Sequence, residues 1–419
     1  MNKTSIYSGG TTMWWLMVTC IALLSLVLST KLHARQGVSK DTIRIGGVMD
    51  LDGRSKGLGI GMRDGIRAAF KNQKIQGRRI EYVTLNDSYM PSKTIAATKK
   101  IVEQDVFVVL GNVGTPTAKV SLPILAKHHI PAVGFFTGAG ILRPGIGDIV
   151  NYRASYVQET AAVINTAIRA GVKPEGICAF VQNDAYGMAG VEGIKRALSK
   201  RRGGGKIVTI LDKIIALQGD NPARNNIGPI GVYQRNTFTS KNAYRSLKNW
   251  EKKNNTRCQV VVSVGTYNAV ARFAGYAKYK GENWIISAVS FTGADNFRSV
   301  LKDHGVTSKI LMTQVVPPLN SDIPIVKEAR KTLGEKFGYV TLEGYIVGKM
   351  CLKIMSNIEG EITRKSFLRA AIGKRYSVGG LSFDFTGDNQ ASDLVLLTYL
   401  TNGEYKTLDR ATLQNLLNI

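Results

Sequence analysis

The chain has 419 residues and a formal net charge of +26, a length that allows two domains with enough buried core to need no disulfide or metal support. Nucleic acid is not expected as a partner, because Lys and Arg are spread along the chain without a zinc-knuckle spacing, an RNP aromatic signature or a helix-turn-helix pattern. The charge is expected instead to keep the protein soluble, to attract it weakly to anionic membrane surfaces or to steer an acidic solute.

The amino terminus has the layout of a secretory signal. Lys3 precedes an apolar stretch over residues 14–29, and Ala34 supplies a small residue for cleavage. We therefore predict a signal peptide over residues 1–34 and a periplasmic protein, with an uncleaved membrane anchor as the alternative. Cys20 lies inside the apolar stretch, which does not fit a lipid-modified cysteine that opens the mature chain.

Apolar β-rich runs then alternate with amphipathic helical patterns. The predicted strands are 42–49, 79–85, 106–110 and 131–136, and the predicted helices between them are 61–72, 93–104 and 115–129. Strands separated by helices indicate right-handed βαβ crossovers and a parallel sheet that is covered on both faces. This part of the chain is predicted to form a doubly wound α/β lobe.

The pattern restarts after Tyr152. The predicted helices are 156–170, 188–200 and 268–278, and the predicted strands are 176–182, 207–210, 259–264 and 284–289, with a polar stretch over residues 218–241. Two such sets predict an α/β protein with two doubly wound, Rossmann-like lobes, a hinge and a central ligand cleft beyond the carboxyl ends of the strands.

Three cysteines follow the predicted signal, namely Cys178, Cys258 and Cys351. An odd number without a regular spacing supports no disulfide framework. We expect buried free thiols at these positions.

Seven short segments of the chain carry a family resemblance, namely residues 43–49, 86–92, 111–117, 182–187, 265–267, 343–345 and 379–383. They resemble successive landmarks of type I periplasmic binding proteins, most closely the leucine/isoleucine/valine-binding branch. The resemblance spans residues 42–405 and implies a chain that crosses three times between its lobes. It assigns 42–152 plus 316–375 to the first lobe and 153–315 plus 376–419 to the second.

The same resemblance implies a solute-binding component of an ABC importer, without cofactor, whose partners are a small-molecule solute and a permease and ATPase complex in the inner membrane. A periplasmic sensor that passes lobe closure to a signalling partner is the alternative from a different class. A structural or membrane-associated protein that uses the positive charge is a third possibility.

Thr115 stands where a helix begins after the strand that ends at Leu110, so its hydroxyl and the free backbone N–H groups could bind a carboxylate. The alternative is that Thr115 only caps the helix. The resemblance implies a ligand contact at Thr115, and it places Phe136, Thr137 and Gly138 at the loop that holds the main-chain-like part of a ligand.

Tyr186 and Tyr267 each follow a β-rich run and match family positions whose rings line the cleft. A tyrosine ring offers an apolar wall and a hydroxyl, which suits a small amphiphilic solute. Packing within a lobe is the alternative for both. Tyr345 also matches a cleft-lining aromatic, but its helical pattern fits a core position equally well.

Two departures bear on the ligand. Amino-acid binders of this family place an acidic residue where this chain has Ser290, and an aromatic where it has Leu58. An α-ammonium without that carboxylate would be buried and unpaired, which costs several kcal/mol. Either Asp50, Asp52 or Asp184 substitutes, or the ligand is a carboxylate, an amide or urea-like solute, or an aromatic acid.

No enzyme is predicted. The glycines at 57, 59, 61 and 65 do not complete a dinucleotide-binding G-x-G-x-x-G, and neither a Walker lysine motif nor a G-x-S-x-G occurs. The 4 histidines lack metal-ligand spacing. We therefore expect neither catalytic residues nor a metal site.

Overall fold

The computed structural model describes residues 36–219 and 221–417. The predicted signal peptide and its cleavage site after Ala34 lie outside the described residues. Among the residues described, the helices are too short or too polar to span a membrane.

Strands and helices alternate along most of the described chain. The strands are β1 (Thr42–Met49), β2 (Lys74–Ile75), β3 (Arg78–Asn86), β4 (Val109–Leu110), β5 (Ala132–Val133), β6 (Ile149–Val150), β7 (Ile177–Gln182), β8 (Ile230–Tyr233), β9 (Val260–Val264), β10 (Ile285–Ala288), β11 (Ile310–Gln314), β12 (Arg375–Val378), β13 (Leu381–Asp384), β14 (Leu396–Thr401) and β15 (Glu404–Thr407). The α-helices are α1 (Lys56–Phe70), α2 (Pro91–Glu103), α3 (Thr115–Lys127), α4 (Tyr156–Arg169), α5 (Ala185–Ser199), α6 (Gly205–Ala216), α7 (Lys241–Asn254), α8 (Tyr267–Tyr279), α9 (Ala294–Asp303), α10 (Pro324–Leu333), α11 (Tyr339–Ser356), α12 (Arg364–Ala371) and α13 (Arg410–Leu417).

The first lobe is built on a six-stranded sheet in the order β2-β3-β1-β4-β5-β6. β1 pairs in parallel with β3 along its whole length and with β4 on its other side. β4, β5 and β6 continue the parallel arrangement, and β2 adds a short antiparallel edge. The last five residues of β1 are all buried, because helices cover both faces of the sheet.

The second lobe is built on a seven-stranded sheet in the order β15-β14-β11-β10-β9-β7-β8. β7 to β11 are mutually parallel, and β14 and β15 form an antiparallel edge. β9 and β10 are buried along their whole length. The two sheets confirm the predicted α/β fold with two doubly wound lobes.

The strand predicted over residues 207–210 is wrong, because these residues lie in α6. Val208 and Thr209 are β-branched and suggested a strand, but Ile207, Leu211 and Ile214 are buried on one face of the helix. That spacing of four and three residues is typical of a helix. The neighbouring strand is instead β8, which lies inside the stretch over residues 218–241 that was interpreted as polar.

Free thiols were the expectation for all three described cysteines, and this is wrong for two of them. Cys178 and Cys258 form a disulfide with their Cα atoms 5.6 Å apart across a sequence separation of 80 residues. β7 and β9 are neighbours in the sheet, with Cys178 opposite Val261, so strand pairing brings the two cysteines together. Sequence spacing alone cannot reveal such a pairing. Cys351 is a buried free cysteine, as expected.

Helix α11 packs along α1 on the first lobe, where glycines allow the two backbones to approach closely. A methyl group added at Gly65 would lie 2.1 Å from the Thr341 carbonyl oxygen, and one added at Gly344 would lie 2.5 Å from that of Met62. Gly61 and Gly65 of α1 therefore serve the packing of α1 against α11. α10, α12 and the β12–β13 hairpin pack against the same group of helices.

The segments that cross between the lobes are hydrogen-bonded to one another. Asn151 N donates to the carbonyl oxygen of Asn389 at 2.7 Å, and Ala391 N donates to that of Asn151 at 3.0 Å. The Tyr152 hydroxyl donates to the Val315 carbonyl oxygen at 3.0 Å, which adds the segment after β11. These residues form a narrow ribbon, called the hinge ribbon below. The residue bounds of the two lobes stay a prediction.

Candidate functional site

Three hydroxyl groups meet at the carboxyl edge of the first sheet. Thr115 is the first residue of α3, and its Oγ lies 2.7 Å from the Oγ of Thr137, which follows β5. The Thr137 hydroxyl in turn donates to the Tyr156 hydroxyl at 3.3 Å. Gly114, not Thr115, occupies the N-cap position of α3, and it has no side chain to cap the helix. The Thr115 hydroxyl therefore bonds to Thr137 and does not cap its own helix.

Aromatic rings from both lobes surround these hydroxyls. Phe291, which directly follows Ser290, lies 5.2 Å from the ring of Phe136 and 4.7 Å from that of Tyr186. Tyr156 and Tyr186 lie 5.4 Å apart, and Tyr89 lies 6.5 Å from Phe291. All five rings are almost completely buried. The region between the lobes therefore has an apolar lining with hydroxyl groups at defined positions.

A buried guanidinium lies beside this aromatic cluster. Arg153 opens the segment that enters the second lobe, and only 1% of its surface is exposed. Its Cζ lies 4.5 Å from the centre of the Phe136 ring, and its Nε lies 3.3 Å from Glu343 Oε1 on α11. Arg153 also donates to the Ser290 hydroxyl. Its Nη1 has no hydrogen-bond partner among the described residues.

A second carboxylate, Glu159 on α4, reaches the same place. Its Oε2 accepts the backbone N–H of Ser290 at 2.7 Å and the hydroxyl of Thr313, and its Oε1 has no partner among the described residues. Two carboxylates therefore flank one guanidinium around Ser290. The position that lacks an acidic residue in sequence is adjacent to acidic groups from two other elements.

Burial changes the acid–base behaviour of this cluster. It raises the pKa of Glu343 to about 7, although the charge of Arg153 acts in the opposite direction. Burial also lowers the pKa of Arg153, but Glu343 and Glu159 outweigh it and the pKa ends above its ordinary value. The pKa of Tyr156 rises to about 12 because the hydroxyl is buried. Arg153 is therefore charged at neutral pH and Tyr156 is protonated.

The remaining predicted site residues lie at different distances from the cluster. Gly138 directly follows Thr137, and an added methyl group there would lie 2.8 Å from the backbone nitrogen of Tyr156. Tyr267 begins α8, and its hydroxyl accepts the backbone N–H of Gly57 from the first lobe at 3.4 Å. Tyr345 lies outside the cluster, where the Lys349 ammonium is 5.7 Å from the centre of its ring. Burial raises the pKa of the Tyr345 hydroxyl, and Glu328 on α10 raises it further. Gly138 therefore lies next to the cluster, whereas Tyr267 and Tyr345 contact residues outside it.

The three aspartates considered as substitutes for the missing acidic residue serve other contacts. Asp50 accepts the backbone N–H groups of Gly53 and Ser55, and Asp52 accepts the hydroxyl of Ser88. Asp184 caps α5 through the N–H of Tyr186 and pairs with Arg235 at 3.0 Å. Leu58 is completely buried in the third position of α1.

Little space remains inside the cluster. A cavity of about 10 Å³, room for one water molecule, is lined by Phe136, Ser290, Gln314 and Glu343 together with aliphatic residues and Tyr339. The Gln314 amide nitrogen is buried there without a hydrogen-bond partner among the described residues. A solute larger than water can therefore enter only when the lobes separate. Among the described residues, no group of acidic, His or Cys side chains could hold a metal ion.

Sequence reasoning missed Arg153, Glu159, Phe291, Tyr156 and Tyr89. Arg153 follows the end of the first βα set, and an Arg between two sets is normally interpreted as a solvent-exposed charge. Glu159 lies in the first turn of α4, where acidic residues commonly favour the helix dipole. Phe291 gave a signal only through its neighbour Ser290. Glu343 was part of a recognised landmark without an assigned role.

Comparisons with known proteins agree with this architecture. A family model described as periplasmic binding protein matches residues 42–211. A possible leucine/isoleucine/valine-binding protein from Rhodopirellula baltica SH 1 is 32% identical with a TM-score of 0.77, and the match covers 89% of this chain and 98% of that chain. No match is found among curated proteins.

Two more distant structures have the same fold. A branched-chain amino acid ABC transporter protein from Thermus thermophilus, solved with bound valine, is 15% identical with a TM-score of 0.70 over 89% of this chain and 96% of that chain. A solute binding protein of an ABC transporter from R. palustris, solved in complex with 4-hydroxybenzoate, is 15% identical with a TM-score of 0.68 over 88% of this chain and 96% of that chain.

Proposed function

Because the chain belongs to the leucine/isoleucine/valine-binding protein-like family of type I periplasmic binding proteins, we propose that it captures a small solute in the periplasm and delivers it to the permease of an ABC importer. The family consists of solute-binding proteins. Solutes of such proteins make contacts with both lobes only when the lobes are closed, so binding shifts the population toward the closed state.

One observation carries the proposal about the solute, namely the buried cluster of Arg153, Glu159 and Glu343 between the lobes. Arg153 Nη1 and Glu159 Oε1 lack hydrogen-bond partners among the described residues, although buried polar atoms are normally paired. A solute with an anionic or carbonyl oxygen for Arg153 and an N–H donor for the carboxylates would satisfy both atoms. This supports a branched-chain amino acid or a related carboxylate or amide.

The remaining contacts support a small amphiphilic molecule. The hydroxyls of Thr115, Thr137 and Tyr156 can bind the polar end of a solute, since they already form one connected set. The rings of Phe136, Tyr186 and Phe291 provide an apolar wall on the other side. The side chain of the solute would pack against these rings in place of their present mutual contacts.

Thermal unfolding in the presence of candidate solutes tests the proposal. A solute at a hundredfold excess over its Kd stabilises the folded protein by about 2.7 kcal/mol, so branched-chain amino acids, short carboxylates, amides and aromatic acids can be compared directly. At least one class should raise the melting temperature in a saturable manner. No shift with any of these classes would contradict capture of such a solute.

Matched tyrosine variants then locate the site. Tyr156→Phe removes the hydroxyl beside Thr137 and should weaken the binding of the solute identified in the screen. Tyr279→Phe removes an exposed hydroxyl on α8 and should leave the affinity unchanged. Tyr345→Phe decides whether that residue belongs to the site. Equal affinity in the Tyr156 and Tyr279 variants would contradict a binding site at the hydroxyl set.

A further inference from the structure

A second concave surface lies at the rim of the interface between the lobes, separate from the buried cluster. It encloses about 950 Å³ between the loop after β8, the start of α7, and α8. Arg54, from the loop between β1 and α1 of the first lobe, completes its wall. This region is called the cationic cavity below, and its charged and polar lining includes Arg54, Asn236, Ser240, Lys241, Arg272 and His304.

The cationic cavity is lined by basic residues without any acidic one. Arg54, Lys241 and Arg272 form no ion pair with another described residue. The other large cavity between the lobes, of about 530 Å³, carries Asp295 and Glu404 beside its Arg298 and Lys406. Mixed charges of that kind compensate one another, whereas the cationic cavity presents uncompensated positive charge to a solute.

A serine also lines this cavity. Ser240 is only 7% exposed, and its hydroxyl makes no hydrogen bond with another described residue. It precedes α7, a helix of 14 residues, and does not cap it through its side chain. The first residues of that helix line the cavity as well, so its free N–H groups and its dipole favour an acceptor at the same wall.

Arg54 links the cavity to lobe closure. Its guanidinium Cζ lies 4.8 Å from the centre of the Phe238 ring, and its carbonyl oxygen accepts the side-chain N–H of Asn268 at 2.7 Å. Phe238 and Asn268 belong to the second lobe. The complete set of cations therefore exists only when the lobes are closed.

We propose that the cationic cavity binds a phosphate-bearing anion and thereby favours the closed state. Phosphate offers several acceptor oxygens and more than one negative charge, which match guanidinium groups, a hydroxyl and helix N–H groups at once. Free phosphates and lipid phosphate headgroups share this chemistry. An anion held by Arg54 and by the second lobe makes contacts that the open state lacks, so it must shift the population toward closure.

Pyrophosphate binding to the mature chain, measured by isothermal titration calorimetry at low and constant ionic strength, tests the free-anion source. Arg54→Gln, Lys241→Gln and Arg272→Gln should each raise Kd roughly tenfold, since each removes a charge-assisted contact. The control variant Lys206→Gln/Lys252→Gln/Lys253→Gln removes the same kind of charge outside the cavity and should bind as the unaltered chain does. Equal weakening by the control would overturn the proposal.

Flotation with vesicles that contain an anionic phospholipid tests the lipid source. A lipid phosphate is the anion if the three cavity variants lose vesicle binding and the control variant keeps it. This conclusion holds even if the chain does not bind pyrophosphate. If neither probe distinguishes the cavity variants from the control, the site does not exist. Small-angle scattering should also show compaction by the bound anion in the unaltered chain and none in Arg54→Gln.

Discussion

Arg153 is a buried cation that pairs with Glu343 and lies in the field of Glu159, and its removal affects folding and solute binding in different ways. Arg153→Met leaves Glu159 and Glu343 in a buried place without the guanidinium, which should destabilise the protein by about 3 to 5 kcal/mol above neutral pH. Solute binding should be lost as well. Chemical denaturation measures the first effect, and the thermal-shift screen measures the second.

The double variant Arg153→Met/Glu343→Gln separates the two effects. Neutralising Glu343 removes one uncompensated charge, so stability should recover in large part, while solute binding stays absent. A double variant that binds the solute as tightly as the unaltered chain would contradict a role for Arg153 in recognition.

Glu343 gives the stability of the protein a defined pH dependence. Its pKa is about 7 in the folded chain against an ordinary value of 4.5, so the folded state holds the proton more tightly than the unfolded state. The stability from this group is complete below about pH 4.5 and is lost as pH rises through about 7. Glu343→Gln should therefore flatten the fall in stability between pH 5 and 8, by at most about 1.4 kcal/mol per pH unit.

Denaturant midpoints measured across this pH range check that expectation. Asp87 has a pKa raised to about 6 by burial and contributes with the same sign, so Asp87→Asn serves as a reference. Combining both substitutions should flatten the profile more than either one alone. An unchanged profile in Glu343→Gln would show that its proton affinity does not differ between the two states.

For individual residues, sequence reasoning located most members of the buried cluster but not its charged side chains. Thr115, Phe136, Thr137, Tyr186 and Ser290 lie together, and they were found because they follow strands or match family positions. Arg153 and Glu159 were missed because a local sequence does not reveal which charged side chains a second lobe will cover. Whether these residues contact a solute stays a prediction.

Among the elements, the contact between α1 and α11 depends on glycine. Gly65→Ala would place a methyl group 2.1 Å from the Thr341 carbonyl oxygen, so the helices must separate and stability should fall by about 1 to 3 kcal/mol. Gly205→Ala is the matched control, since a methyl group there meets nothing within 4 Å. Thermal unfolding that ranks the two variants equally would contradict a tight contact at Gly65.

The Cys178–Cys258 disulfide ties β7 to β9 and closes a loop of 80 residues. In the chain-entropy model such a loop adds about 4 kcal/mol of stability. Reduction by dithiothreitol should lower the melting temperature of the unaltered chain but not that of Cys178→Ala/Cys258→Ala. Cys351→Ala should keep the full response to reductant, because Cys351 forms no disulfide.

The βα alternation was readable from sequence because buried parallel strands and amphipathic helices differ in period. Helix α6 was not recognised from the sequence, because its β-branched residues suit a strand while the spacing of its buried residues suits a helix. The disulfide was not predicted, because it depends on which strands become neighbours. Element type follows from local pattern, whereas pairing between elements is a property of the fold.

For the whole molecule, direct contacts between the lobes stabilise the closed state. Asp295 of α9 accepts the backbone N–H of Tyr339 at the start of α11 at 2.7 Å, and Gln182 donates to the Tyr89 hydroxyl at 3.1 Å. Asp295→Ala should shift the population toward open molecules and increase the radius of gyration in small-angle scattering. Asp303→Ala removes an exposed carboxylate from the same helix and should leave the radius unchanged. Identical radii in both variants would contradict a role for Asp295 in closure.

The hinge ribbon limits how the molecule can open. Asn151 is bound on both its N–H and its carbonyl oxygen to the segment around Asn389 and Ala391, so the crossing segments cannot slide past one another without breaking these hydrogen bonds. Bending of the ribbon keeps them intact. Opening should therefore be a rotation of one lobe about the hinge ribbon. Residues at the rim of the interface then move farthest and admit a solute, while residues next to the ribbon barely move.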